Sequence, residues 1–133
     1  MAKGYQANQE RLQALSLLGK DLARRAKSKC ELSGESGVSL KIYEVPPAPA
    51  EPDFEKCILI SENTLAQIEN PKMLDSNQWR ILAEQIWSDI PAVQILAIRM
   101  LAHIAKTEHW AQEILDDAYL EDSILVEANK QAL

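Results

Sequence analysis

The sequence predicts an α+β protein that is mostly helical, with an N-terminal helix, a β-hairpin module and a C-terminal helical bundle. Two patterns carry this expectation. Apolar residues recur at three- and four-residue steps over residues 6–28 and again through most of 62–120. Between these stretches, residues 38–45 alternate apolar with polar, and "KCILI" follows a proline-rich gap as a short apolar run. The 133 residues suffice for one domain, or for a small module packed on a slightly larger one. The expected division places the helix and hairpin module in 1–70 and the helical part packed on it in 71–133.

In residues 6–28 the apolar stripe is Leu12, Leu15, Leu18, Leu22 and Ala26, with charges between them. "KSKCELSGESG" ends this helix, Gly34 and Gly37 being residues that take positive φ without a Cβ clash. In "VSLKIYEV" (38–45), Val38, Leu40 and Ile42 share one face, and Ser39, Lys41 and Tyr43 the other. "PPAPAEP" (46–52) has four prolines in seven residues and reads as an extended loop barred from a sheet centre. Residues 56–60 read as the returning strand, with Cys57 a small buried side chain.

Beyond Ser61 the pattern is helical. "SENTLAQIEN" gives a short helix that stops before Pro71. Asp75, with Gln78 three residues on, predicts a capping box for a helix over 76–88 that turns Trp79, Leu82, Ala83 and Ile86 to one side. Pro91 suits the first turn of a helix over 91–105, "PAVQILAIRMLAHIA". That helix is apolar nearly all round and is therefore expected at the buried centre. Thr107 is the expected cap of a helix over 108–120, with Trp110, Ile114, Leu115 and Ala118 facing inward. Residues 121–133, acidic and then alanine-rich, are expected to fray.

The composition, 47% hydrophobic and 26% charged, is that of a soluble globular protein. No run of about 18 apolar residues is present, the start is polar with no apolar leader core, and two cysteines are too few for a disulfide framework. The expected location is the cytoplasm. The net charge of −6 is uneven: residues 1–29 hold seven Lys or Arg and two acids, so they carry +5 and the remainder −11. An acidic body disfavours non-specific nucleic-acid binding. Arg24, Arg25, Lys27 and Lys29 remain the candidate contact for an anionic partner, with nucleic-acid binding through the first helix an unfavoured alternative.

Cys30 and Ser33 are separated by two residues. Ser61 and Thr64 are separated likewise, at a helix start, with the hairpin between the two pairs. Knuckle, hairpin and helix in this order describe a treble-clef zinc finger, in which the two-residue spacing lets both thiolates of a pair reach one tetrahedral ion. Three of the four positions hold hydroxyls, which stay protonated near neutral pH and bind zinc poorly. The expectation is a module with vestigial ligand positions and no metal or other cofactor. A structural zinc supplies on the order of 10 kcal/mol in an isolated finger. Burial of Trp79, Trp87 and Trp110 around residues 91–105, at roughly 1.5–3 kcal/mol per large side chain, is expected in its place. Hydrogen bonds among Ser33, Ser61, Thr64 and nearby backbone are expected to hold the knuckle closed.

The stretches "MAKG", "RLQALSLLGKDLARRAKSKCELSGESGV", "IYEVPPAPAEPDFEKCILI" and "QIENPK" resemble the PhnA family, small bacterial proteins labelled for alkylphosphonate-utilisation operons. The resemblance runs from the start to about Tyr119. It implies zinc held by two Cys-x-x-Cys pairs. Cys30 matches one ligand position, and Ser33, Ser61 and Thr64 stand where the other three cysteines would be. The family label also implies, as an alternative, a phosphonoacetate hydrolase-like enzyme of phosphonate metabolism, but it carries no catalytic residue onto this chain.

Other catalytic readings lack their residues. A His-Asn-His nuclease needs two histidines where this strand has Tyr43 and Glu44. His103 and His109 lie six residues apart and do not share a helical face, and no G-x-S-x-G elbow is present. Cys30 follows Lys27 and Lys29, whose charge favours a thiolate, yet the expectation is a packed remnant of the knuckle. Asp116, Asp117, Glu121 and Asp122 read as a solvated charge run. The expected role is non-enzymatic, through protein–protein contacts with an unnamed partner. A homodimer stays open if the first helix leaves the hairpin edges uncovered.

Overall fold

The computed structural model describes residues 2–133, with side chains described from residue 7 onward. Helix α1 (Ala2–Ala26) ends two residues short of the expected boundary. Lys27 and Ser28 turn left-handed, at φ 56° and 59°. The Ser28 N–H then reaches the Ala23 carbonyl at 3.1 Å and the Lys27 N–H the Arg24 carbonyl at 3.3 Å. This paired closure is a Schellman cap, built here without glycine. Gly34 and Gly37 do take positive φ, but in the loop beyond.

Strands β1 (Leu40–Glu44) and β2 (Cys57–Ser61) form an antiparallel hairpin, with Leu40 opposite Ser61 and Glu44 opposite Cys57. Every residue of β2 is buried. The two-residue period of a strand explains how. Cys57 and Leu59 pack with Leu22, Leu15 and Leu18 of α1, whereas Ile58 and Ile60 enter the main core. Val38 lies outside the strand and is exposed. The proline-rich segment is anchored by Arg11, which donates to Glu44 and to the carbonyls of Pro49 and Ala50. A single 3-10 turn over Phe54–Lys56, capped by Asp53, leads into β2.

The outer edge of β2 is closed by side chains. The Leu59 N–H donates to the Glu31 carboxylate at 2.9 Å, and the Glu31 N–H donates to the Leu59 carbonyl at 2.8 Å. Arg25 donates to the Cys57 carbonyl at 2.7 Å and to both oxygens of Glu31 at 2.9 Å. An exposed strand edge is a template for further pairing, and this one is occupied.

After the hairpin come α2 (Glu62–Glu69), α3 (Leu82–Gln85), α4 (Pro91–Ile104), α5 (His109–Asp117) and α6 (Asp122–Ala128), with single 3-10 turns at Pro71–Met73 and Gln78–Ile81. The chain is thus mostly helical with a small antiparallel sheet, as its pattern predicts. Pro91 occupies the first turn of α4, whose buried residues include Val93, Leu96, Met100 and Leu101. One core joins Leu32, Ile58 and Ile60 to Trp79, Leu82 and the inner face of α4, so residue 70 lies within a continuous packing unit.

Several expectations are corrected. Residues 76–88 do not form one helix: a 3-10 turn carries Trp79 at φ −95° and ψ 15°, followed by the single turn of α3. The reason is buried Gln67, whose Oε1 accepts from the Trp79 indole at 2.8 Å and from the Asp75 N–H at 2.9 Å. Gln78 accepts no capping-box bond from the Asp75 N–H, which goes to Gln67; its Oε1 accepts instead from Gln67 Nε2. Thr107 does not cap α5; its hydroxyl donates to the Ile104 carbonyl, and Glu108 takes the cap position. Ala118 is extended, which ends α5 three residues early. Residues 122–128 form α6 instead of fraying, with Ala128 buried. Trp79 is fully buried and Trp110 half-buried under Arg80, 4.6 Å from its ring, but Trp87 is 56% exposed and is not a core anchor.

Arg99, the one charged residue of α4, is 4% exposed and donates to the carbonyls of Pro46, Glu127 and Ala128. It therefore fastens the loop after β1 and the end of α6 to the central helix. Replacing it with methionine, Arg99→Met, strands these carbonyls and should lower unfolding free energy by about 3 kcal/mol in a urea titration. A second prediction concerns pH. Burial, reinforced by Glu44 and Asp53 against the opposing Arg25 and Arg11, pushes the Cys57 thiol from 9.0 to about 11. The raised value favours the neutral thiol in the folded state, so this contribution is complete below pH 9 and is lost as pH rises through 11. The parent chain should lose about 2 kcal/mol more than Cys57→Ala across that window, measured by chemical denaturation.

Candidate functional site: the thiol–hydroxyl knuckle

The knuckle begins where the left-handed pair Lys27–Ser28 releases the chain from α1. Lys29 and Ser36 then pair as an isolated antiparallel bridge. Inside it, the Cys30 N–H donates to the Glu35 carbonyl and the Gly34 N–H to the Cys30 carbonyl, each at 2.9 Å. Gly34 stands at φ +79°, where a side chain is strained. This tight loop turns the Ser33 N–H onto Cys30 Sγ at 3.3 Å.

The opposing pair is set by the junction of β2 with α2. Ser61 is the last strand residue and the helix cap, its Oγ accepting from the Thr64 N–H at 3.1 Å. One helical turn brings Thr64 Oγ1 to 3.0 Å from Ser61 Oγ and 3.6 Å from Cys30 Sγ. The Glu35 carboxylate closes the cluster, accepting from Ser33 Oγ at 2.9 Å and from Ser61 Oγ at 3.0 Å. Cys30, Ser61 and Thr64 are buried, while Ser33 and Glu35 are half-buried. The four positions paired by spacing thus meet in space. Glu35, which spacing does not mark, is the residue that links both halves.

The fit to zinc can be judged from these distances. A tetrahedron with Zn–S bonds of about 2.3 Å has edges of about 3.8 Å. The separation of Cys30 Sγ from Thr64 Oγ1 is close to that, but Ser61 and Thr64 stand at hydrogen-bond distance from each other. One thiol, three hydroxyls and a carboxylate that accepts from two of them are a poor donor set for Zn²⁺. Among the described residues, no group of three or more His, Cys, Asp or Glu is placed to hold a metal ion. The residues present do not fit the ion.

The electrostatics of Cys30 follow from the same contacts. Burial raises its thiol pKa, yet the net direction is downward, because the Ser33 hydroxyl and amide, the Ser61 amide and the Thr64 hydroxyl all favour the thiolate. Hydrogen bonds accomplish what the sequence assigns to Lys27 and Lys29, both of which are exposed. No buried side-chain polar atom lacks a partner among the described residues.

The other candidates do not assemble into a second site. Arg25 is withdrawn from the basic group by Glu31, by the Cys57 carbonyl and by the Phe54 ring 4.7 Å away. Arg24, Lys27 and Lys29 stay exposed, Arg24 lying 3.9 Å from Asp21. His103 is half-buried on α4, and His109 is exposed 3.2 Å from Glu113. Tyr43 packs against the core, and Glu44 holds Arg11. Compared with protein-family models, curated proteins and solved structures, the chain gives no match.

Glu35→Ala removes the acceptor shared by two hydroxyls and should cost about 2 kcal/mol in thermal or urea unfolding, more than Ser33→Ala. A triple replacement, Ser33→Cys with Ser61→Cys and Thr64→Cys, should bind one cobalt(II) ion with the intense charge-transfer absorption of a thiolate site. The parent chain should not develop that absorption under the same titration.

Proposed function

We propose that the chain is a non-enzymatic PhnA-like protein that acts through protein contacts in a reducing compartment, the cytoplasm. Its treble-clef-like module is closed by hydrogen bonds in place of zinc. The observation that carries this reading is the convergence of Cys30, Ser33, Ser61 and Thr64 on one cluster that Glu35 ties together. Hydroxyls paired within one cluster brace a fold, and the one thiol among them is buried.

The compartment is argued from two free cysteines, each separately buried, and from the lack, among the described residues, of any helix long and apolar enough to cross a membrane. The contact reading is supported by apolar side chains left at the surface of α1, Leu12 at 52% and Leu17 at 80% exposure. One eligible partner is a second copy. The closed outer edge of β2 leaves the β1 side of the hairpin as the edge through which two copies would pair.

The test combines three measurements on protein purified without chelators. Zinc is expected far below one ion per chain, and phosphonoacetate should release no phosphate. A partner recovered at a fixed ratio should be weakened by Leu17→Asp with the helical signal unchanged. Stoichiometric zinc, or phosphonoacetate cleavage lost in Glu35→Ala, overturns the proposal.

A further inference from the structure

The turn before α4 and the start of α6 border a cleft of ≈ 330 Å³, none of whose lining residues belongs to the knuckle. Trp87 and Tyr119 line it, 56% and 93% exposed, together with Asp89, Glu121, Ser88 and Gln94. No lysine or arginine lines it. Neither Asp89 nor Glu121 has a cationic partner among the described residues.

Two other aromatic rings receive a cation from the chain itself. Arg25 sits 4.7 Å from the Phe54 ring and Arg80 4.6 Å from the Trp110 ring. Trp87 and Tyr119 receive no such cation from the described residues. Two aromatic side chains and two carboxylates without a cationic partner line one cleft, on a body that carries −11 beyond residue 29, and together attract a cation from outside.

We propose that this cleft binds an organic cation, either a quaternary ammonium or a guanidinium head group. Trp87 and Tyr119 supply the ring faces, and Asp89 and Glu121 supply the neutralising charge. The volume admits such a head group together with the atoms that carry it. Ser88 and Gln94 offer hydrogen bonds, which a guanidinium uses and a quaternary ammonium does not. The proposal stands on different residues from the knuckle and does not depend on how that cluster is read.

The test follows the three indole N–H signals by NMR at constant ionic strength. Tetramethylammonium and choline are titrated as quaternary cations, N-acetylarginine amide as the guanidinium, and 3,3-dimethylbutanol as the uncharged isostere of choline. At least one cation should move the Trp87 signal saturably, with Trp79 unmoved as the buried control. The cation that binds more tightly identifies the head group. Asp89→Asn combined with Glu121→Gln should weaken binding about tenfold. In Trp87→Ala, at an exposed position, binding is read instead from the Tyr119 backbone N–H signal, which should show no saturable shift, with an unchanged melting temperature. Equal binding of the neutral isostere, no saturable shift with either kind of cation, or unchanged affinity in the carboxamide double variant each overturns the assignment.

Discussion

The structure depends on burying one short strand from every side. Cys57–Ser61 presents alternate residues to α1 and to α4, and its free edge meets Glu31 and Arg25. A two-stranded hairpin alone is marginal in water. Here it is held between two helical layers, and its outward backbone groups find partners on Arg25 and Glu31, where α1 gives way to the following loop. The buried ion pair follows from this arrangement. Arg25 serves a carboxylate, a backbone carbonyl and an aromatic face together, so the desolvated guanidinium keeps polar company.

The knuckle extends the same constraint. Glu31 and Glu35 sit four residues apart on the loop that carries Cys30, one reaching the strand edge and the other the hydroxyl cluster. A metal ion would organise such a loop from a single centre. This chain distributes the task over individually modest hydrogen bonds, each worth about 1 kcal/mol net, and over the core beneath them. The loop geometry needs one strained-φ glycine, Gly34, to turn back on Cys30.

Much of the fold was legible in hydrophobic period. The later part of the α1 stripe, the apolar β2 and the saturated apolar pattern of α4 each report a local rule that packing then obeys, whereas Leu12 of that stripe stays 52% exposed and Tyr43, assigned to the polar face of β1, packs against the core. Two of the misreadings share a cause: a polar side chain whose partners lie beyond the local period. Gln67 draws the Trp79 indole and the Asp75 amide to itself and breaks a helix that period alone predicts. Arg99 recruits residues 127–128, which read as a frayed tail. Trp87 has the composition of an anchor but sits on the turn between α3 and α4, outside the stripe. In the knuckle, equal spacing revealed four of five participants, because ligand spacing is a local signal. Glu35 was invisible because its role appears only when Ser61, twenty-six residues away, is brought beside it.

The Arg99 latch bears on how the chain is made. Its guanidinium lies on α4, one acceptor precedes it by 53 residues and the others follow by 28 and 29. During vectorial synthesis the hairpin emerges first, with one of its faces still awaiting α4. The central helix emerges next, carrying a charge with only part of its carbonyl set. The fold closes only when the segment around Ala128 has left the ribosome, so the nascent protein passes through its most aggregation-exposed state late, with its most apolar helix already outside.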